Sequence, residues 1–160
     1  MSSLTDMIEA TILDLMEAQD GTCEIARNAF AAELRVAPSQ ISYVISTRFS
    51  HRQGYLVESR RGGSGYVRIQ RLPYTEEADY LMHLVRSLAD SLSQHEASVL
   101  IDQLASLEII SAEMGWIMKA ALADGSLNLL DPQRRDRVRA RIFRNILIRL
   151  AALTREEVVL

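Results

Sequence analysis

Between Ser3 and Gly21, apolar residues Met7, Ile8, Ile12, Leu13, Leu15 and Met16 recur at steps of three and four. Residues so spaced share one helical face, and Ser3 with Asp6 three positions on is a helix-start signal, so an amphipathic helix is predicted from about 4 to about 19. Gly21 ends it. Thr22 to Ala26 forms a short β-prone stretch, and Asn28 is placed to cap a second helix through Ala29, Phe30, Ala31, Ala32 and Leu34. After a tight turn at Val36-Ala37, Pro38 at a first helical position, with Ser39 as cap or first-turn residue, opens a third helix from about 38 to 48. On a helical wheel Ile41, Val44 and Ile45 fall on one side and Ser39, Ser42, Tyr43 and Ser46 on the other.

The period then changes. Residues 55–59 and 65–70 are two β-prone runs with partly alternating polarity, joined by Arg60-Arg61-Gly62-Gly63-Ser64, which predicts a hairpin with a basic, glycine-rich tip. Beyond Pro73 four helical patterns follow. Leu81, Leu84, Val85, Leu88 and Leu92 mark the first; Ala97, Leu100, Ile101 and Leu104 the second; Met114, Ile117, Met118, Ala121 and Leu122 the third; Val138, Ile142, Ile146, Leu147, Leu150 and Leu153 the fourth. The expected fold is mainly α with an α+β N-terminal part. Residues 1–72 are expected to form a winged helix-turn-helix DNA-binding domain and residues 73–160 a small four-helix dimerisation domain.

Composition narrows the class. An apolar fraction of 48% in 160 residues builds a core and excludes disordered and collagen-like chains. No apolar run approaches a membrane span, and the N-terminus lacks a signal-peptide pattern, so a cytosolic protein with no membrane partner is expected. The lone Cys23 has no partner for a disulfide or a zinc pair and reads as a small buried residue.

A formal charge of -3 conceals four blocks. Residues 1–26 carry six acids and no bases; residues 27–72 carry eight Arg against Glu33 and Glu58; residues 73–133 carry ten acids against Arg86 and Lys119; residues 134–160 carry eight Arg against three acids. An acidic chain of this kind still presents a local surface that attracts a polyanion, and the block from 27 to 72 is the place for one. Short side chains such as Ser39, Gln40, Ser42 and Ser46 suit base edges in a major groove, and Arg48 at the helix end suits a phosphate. Arg60 and Arg61 on a glycine tip suit a narrow minor groove, with Arg61 the inserted residue.

Catalytic and metal patterns break off. His95-Glu96 begins an H-E-x-x-H pattern, but position 99 is Val; Asp124, Ser126 and Asn128 begin a calcium-loop pattern, but Leu129 and Arg135 stand where Gly and Glu are needed. His51, His83 and His95 share no ligand spacing, and no nucleophile or phosphate-transfer motif is present. No enzyme activity, metal or cofactor is expected. Trp116 and the later Met residues read as core or subunit interface, and the bundle's remaining apolar face as the contact with a second copy. Arg134, Arg137, Arg141 and Arg144 share a face of the last helix, as a solvated stripe, a partner for acidic helices or a docking surface.

The run VAPSQISYVISTRFSHRQGYLVESRRGGSGYVRIQR over 36–71 resembles CtsR, the class three stress gene repressors of Gram-positive bacteria, and the resemblance extends over nearly the whole chain. It implies a dimeric, cytoplasmic, nucleoid-associated repressor of heat-shock and Clp protease genes that binds direct repeats in double-stranded operator DNA. Carried over by position, Ser39, Gln40, Ser42, Tyr43, Ser46, Thr47 and Arg48 match the recognition helix, and Arg60, Arg61, Gly62, Gly63, Ser64 and Gly65 the wing. The resemblance further implies release from DNA on warming through the wing, phosphorylation by the protein arginine kinase McsB with Arg61 as candidate, and degradation by a Clp protease. Ser64 interrupts the glycine run expected of the wing. Ser42 and Ser46 stand where several members carry asparagine, which grips adenine with two bonds as serine does not.

Two rivals stand beside this reading. A winged-helix protein-interaction adaptor is disfavoured by the basic, glycine-rich tip, and an RNA regulator by the scarcity of exposed aromatics for stacking unpaired bases.

Overall fold

The computed structural model describes residues 3–59 and 65–154. The chain divides into two compact units, Met1–Tyr74 and Thr75–Leu160.

In the first unit, α1 (Leu4–Ala18), β1 (Thr22–Ala26), α2 (Arg27–Leu34) and α3 (Pro38–Arg48) precede a single 3₁₀ turn at His51–Gln53, then β2 (Tyr55–Ser59) and β3 (Tyr66–Arg71). α1 begins where its pattern says it should: Asp6 N–H donates to Ser3 Oγ at 3.1 Å and Ser3 N–H to Asp6 Oδ2 at 3.2 Å, so each residue caps an orphan amide of the other. The Ser3 hydrogen bonds, with Arg48 adding to them, hold the Asp6 carboxyl below the usual carboxylate range. The three strands form one antiparallel sheet in the order β1-β3-β2. Period-2 register places Cys23 opposite Ile69 and Ile25 opposite Val67, and turns all four side chains inward.

Ile8, Ile12 and Met16 of α1 meet Phe30 and Ala31 of α2, Ile41, Val44 and Ile45 of α3 and that inner sheet face in one core. Phe49 closes it against Tyr55, ring centroids 4.9 Å apart and edge to face. Burying these side chains at roughly 1.5–3 kcal/mol each is what fixes α3 against α1 and α2 and leaves its other side to solvent. Between α2 and α3 the chain turns at Arg35, whose φ of 57° lets the Val36 amide reach back to Ala31 O at 3.0 Å.

The second unit contains α4 (Glu76–Ser87), α5 (Gln94–Ser106), α6 (Ala112–Leu122), a 3₁₀ turn (Asp124–Leu127) and α7 (Pro132–Leu153). Thr75, Ser93, Ser111 and Asp131 cap the four helices with side-chain oxygens. α4 packs Ala78, Leu81, Met82 and Val85 against α7, and α5 pairs with α6.

At the centre lies the fully buried Arg139. Its guanidinium donates to Leu122 O at 2.7 Å, Leu92 O at 2.9 Å, Asp136 Oδ1 at 2.6 Å and Asp124 Oδ1. One side chain thereby ties the end of α6, the 3₁₀ turn and the segment before α5 to α7. A buried cation is tolerable only with its donors satisfied and countercharge at hand, and here both conditions are met.

Three local expectations differ. α2 starts at Arg27, so Asn28 lies inside it, and no side chain caps it. β1 runs straight into the helix, and the sheet takes over the cap's work: Arg27 N–H donates to Gly65 O at 3.2 Å. α4 ends at Ser87, so Leu88 and Leu92 lie beyond it. Leu92 is buried outside any helix because α7 supplies its backbone partners, its N–H donating to Asp136 O at 3.0 Å and its carbonyl accepting from Arg139. On α7 the buried side is Arg139, Ala140, Phe143, Leu147, Ile148, Ala151 and Ala152, turned from the predicted stripe, and Leu153 is exposed. Of the expected stripe Val138, Ile142, Ile146, Leu147, Leu150 and Leu153, only Leu147 is fully buried.

Met118 is core, whereas Met114, Ile117 and Trp116 are exposed on the single chain, Trp116 at 66% and Ile117 at 70%. Among the described residues, no helix is long and apolar enough to cross a membrane.

Candidate nucleic-acid interface

α3 is an amphipathic helix with its apolar face spent. Ile41, Val44 and Ile45 are buried, while Ser39, Gln40, Tyr43, Ser46 and Thr47 are exposed and Ser42 and Arg48 half-buried. The seven residues predicted for recognition therefore lie on one helix, five of them open to solvent.

Their side chains are not idle. Gln40 Oε1 accepts from Ala37 N–H at 3.0 Å, which is the half of a capping box that needs no oxygen on the N-cap side chain. Ser46 Oγ and Thr47 Oγ1 both donate to Tyr43 O, at 3.0 and 2.7 Å. This back-bonding parks the hydroxyl hydrogens on the helix and turns oxygen lone pairs outward, so these two residues face a ligand first as acceptors. Tyr43, 60% exposed, borders with Ser39 and Gln40 a shallow depression whose other wall is Leu4, Thr5 and Ile8 of α1.

Arg48 has partners in the folded chain: Nη1 lies 2.6 Å from Glu9 Oε2 and 3.4 Å from Asp6 Oδ1. A phosphate at Arg48 must compete with two carboxylates of α1, a contest that salt and pH both weight.

The wing strands β2 and β3 are antiparallel, with Ser59 opposite Val67 as the last pair before the loop. Arg60, Arg61, Gly62, Gly63 and Ser64, the predicted tip, lie outside the described residues. Gly65, the sixth wing residue, has φ +73°, a conformation that disfavours side chains, and a Cβ there would sit 2.9 Å from Arg27 Nε and Nη2. Arg27 itself was not anticipated. Its Nη1 donates to Ser42 Oγ at 2.9 Å, placing it between the wing base and α3. Arg27, Ser42 and Gly65 are far apart in sequence, and no spacing rule joins them.

On the outer sheet face Arg68 lies 3.9 Å from Glu58, where Glu24, Ser59 and Tyr66 line a second shallow depression. The residues that mimicked metal motifs have other uses: Glu96 is the reciprocal partner of the Ser93 cap, and Asp124 is a counterion of Arg139. No cluster of three or more His, Cys, Asp or Glu suited to a metal occurs among the described residues.

Three helices in helix-turn-helix order, a three-stranded sheet ending in a β-hairpin, and a separate helical unit define a protein of the winged helix-turn-helix class. Residues 3–73 match the family model described as the CtsR N-terminal HTH domain, and residues 76–148 the CtsR C-terminal dimerization domain. The chain is 35% identical over 145 residues to the transcriptional regulator CtsR of Lactiplantibacillus plantarum, covering 91% of this chain and 93% of the relative. It is 34% identical over 148 residues to that of Staphylococcus aureus strain USA300, covering 92% and 96%. A solved structure described as the crystal structure of CtsR in complex with a 26bp DNA duplex is 34% identical, covers 93% of this chain and 99% of that one, and superposes with a TM-score of 0.48.

The chain belongs to the CtsR family, whose matched members are transcriptional regulators rather than enzymes.

Proposed function

We propose that the chain is a sequence-specific DNA-binding transcriptional repressor that acts as a homodimer in the bacterial cytoplasm, in association with the nucleoid. Residues 1–72 serve as the DNA-binding domain and 73–160 as the dimerisation domain. The observation that carries the reading is α3: a helix packed by three apolar residues on one side and presenting Ser39, Gln40, Tyr43, Ser46 and Thr47 on the other, within a family of transcriptional regulators. B-form DNA admits one such helix into its major groove, and the dimer doubles the number of grooves read. In this proposal Ser42 and Arg48 complete the helix contacts. Arg60, Arg61, Gly62, Gly63, Ser64 and Gly65 form the wing, with Arg61 in the minor groove.

Operators are direct repeats upstream of heat-shock and Clp protease genes, and warming releases the protein through its glycine-rich wing. Glycine-rich loops have much backbone entropy to gain on loosening, which supports that site for a thermal response. McsB phosphorylates Arg61, replacing a cation by negative charge where DNA is closest, and a Clp protease then removes the protein.

Fluorescence anisotropy with a direct-repeat duplex and a scrambled duplex, at two salt concentrations and two temperatures, tests the reading. Selective binding that weakens on warming, while circular dichroism stays folded, is the expected result. Equal weak binding to both duplexes refutes it and favours the protein-interaction adaptor.

A further inference from the structure

Resting on the DNA-binding reading, we infer that Arg27 is a positioning residue: lying across Gly65 and bonded to Ser42, it couples the base of the wing to the recognition helix. Three contacts made by one residue join three elements. The Arg27 backbone N–H, at the first position of α2, donates to Gly65 O at 3.2 Å. The Arg27 side chain then passes over the bare α-carbon of Gly65, so close that a Cβ there would lie 2.9 Å from Nε and Nη2 and 3.3 Å from the Arg27 Cβ. At its far end Nη1 donates to Ser42 Oγ at 2.9 Å, and Ser42 Oγ donates in turn to Pro38 O at 3.3 Å in the first turn of α3.

Two properties make this a coupling and not simply a surface contact. Gly65 at φ +73° is the residue through which the loop enters β3, so a change in the path of the loop is felt first there. The guanidinium is planar and its Nε and Nη groups move as one body, so a shift of Gly65 against Nε and Nη2 is passed to Nη1 and to Ser42. Ser42 sits in the middle of the helix proposed to read bases. Wing and helix are thereby held in one relative placement, and a site that must meet two grooves at once gains from that pre-organisation.

The test compares Arg27→Met, which keeps an apolar stem over Gly65 and removes the fork, Arg27→Lys, which keeps charge and stem, Ser42→Ala, and the Arg27→Met/Ser42→Ala double variant. Each is titrated against the direct-repeat and scrambled duplexes across a salt series. Loss of a charge-assisted hydrogen bond of this kind is expected to lower the preference for the direct repeat about tenfold in each single variant. Binding of Arg27→Met to the scrambled duplex should change less than about threefold, and the double variant should lose no more than about twofold beyond the worse single. Parallel loss on both duplexes in Arg27→Met, with the salt slope reduced by about one and both restored by Lys, makes Arg27 a phosphate contact and overturns the inference. Additive losses in the double variant overturn it as well.

A DNA-free arm separates this inference from the reading beneath it. In ¹H–¹⁵N spectra of the wild-type chain and Ser42→Ala, the Gly65 amide resonance is expected to move, although Ser42 and Gly65 belong to different elements. A stationary Gly65 signal overturns the coupling whatever the DNA result. A shifted signal with no duplex preference in the wild type refutes only the DNA-binding reading.

Discussion

Replacing Arg139 by methionine removes the guanidinium from the centre of the helical unit while nearly preserving side-chain volume. Four acceptors lose their donor at once: Leu92 O, Leu122 O, Asp124 and Asp136. The two carboxylates are 51% and 39% exposed and regain water, so their share is that of a surface pair, at most about 1 kcal/mol. The two backbone carbonyls lose a charged donor in the interior, at about 1–2 kcal/mol each. Removing a charge from a low-dielectric site returns some of this, and the net expectation is a loss of about 2–4 kcal/mol.

For a unit of this size each kcal/mol lowers the melting midpoint by about 4–8 °C, so a fall of about 8–32 °C is expected. Thermal circular dichroism at fixed protein concentration measures it, with Arg137→Met on the exposed stripe as a control that should stay within about 3 °C. Hydrogen exchange locates it: α4 to α7 should lose protection while α1, α2 and α3 keep theirs. A melting midpoint for Arg139→Met within 3 °C of wild type, or protection lost equally in both units, would falsify the claim that this residue organises the second unit.

Three further expectations are simpler to state. Arg61→Ala should abolish tight binding to the direct-repeat duplex with an unchanged circular dichroism spectrum, and near-normal binding would sink the wing assignment. Ser64→Gly, which frees the loop backbone by roughly 0.5–1 kcal/mol of conformational entropy, should lower the temperature at which the complex dissociates; an unchanged dissociation curve removes the rigidity argument. Burial pushes the Cys23 thiol up from 9.0 to about 11, so the neutral form is favoured in the folded state. Its contribution to stability is thus complete below pH 9 and lost as pH rises towards 11. Urea titrations at pH 8 and 10.5 should show a steeper alkaline loss for wild type than for Cys23→Ala, and equal losses would place the thiol in water.

What could be read along the chain was whatever depends on periodicity and local chemistry. The Ser3/Asp6 cap, Pro38 at the head of α3 and the buried triad Ile41, Val44 and Ile45 are set by residues within a few positions of one another, and the β2–β3 pairing by two strands joined through one short loop. Helical and strand spacing state these directly, and the exposed face of α3 follows by subtraction. The four-block charge pattern likewise named the segment that carries the proposed interface.

Tertiary structure decided the polar junctions. Arg139 sat unremarked in an arginine-rich helix because its partners come from residues 92, 122, 124 and 136, and only folding assembles them. Arg48 suits a phosphate by its place at the end of α3, but its partner Glu9 on α1, 2.6 Å away, is supplied only by folding. Arg27 meets Gly65 and Ser42 by the same route, and Leu92 is buried because α7 replaces the helical hydrogen bonds it lacks. Apolar burial needs only a face, and a face is periodic; a hydrogen bond needs one atom at a definite distance and angle, and which distant residue supplies it is fixed only when the core has closed.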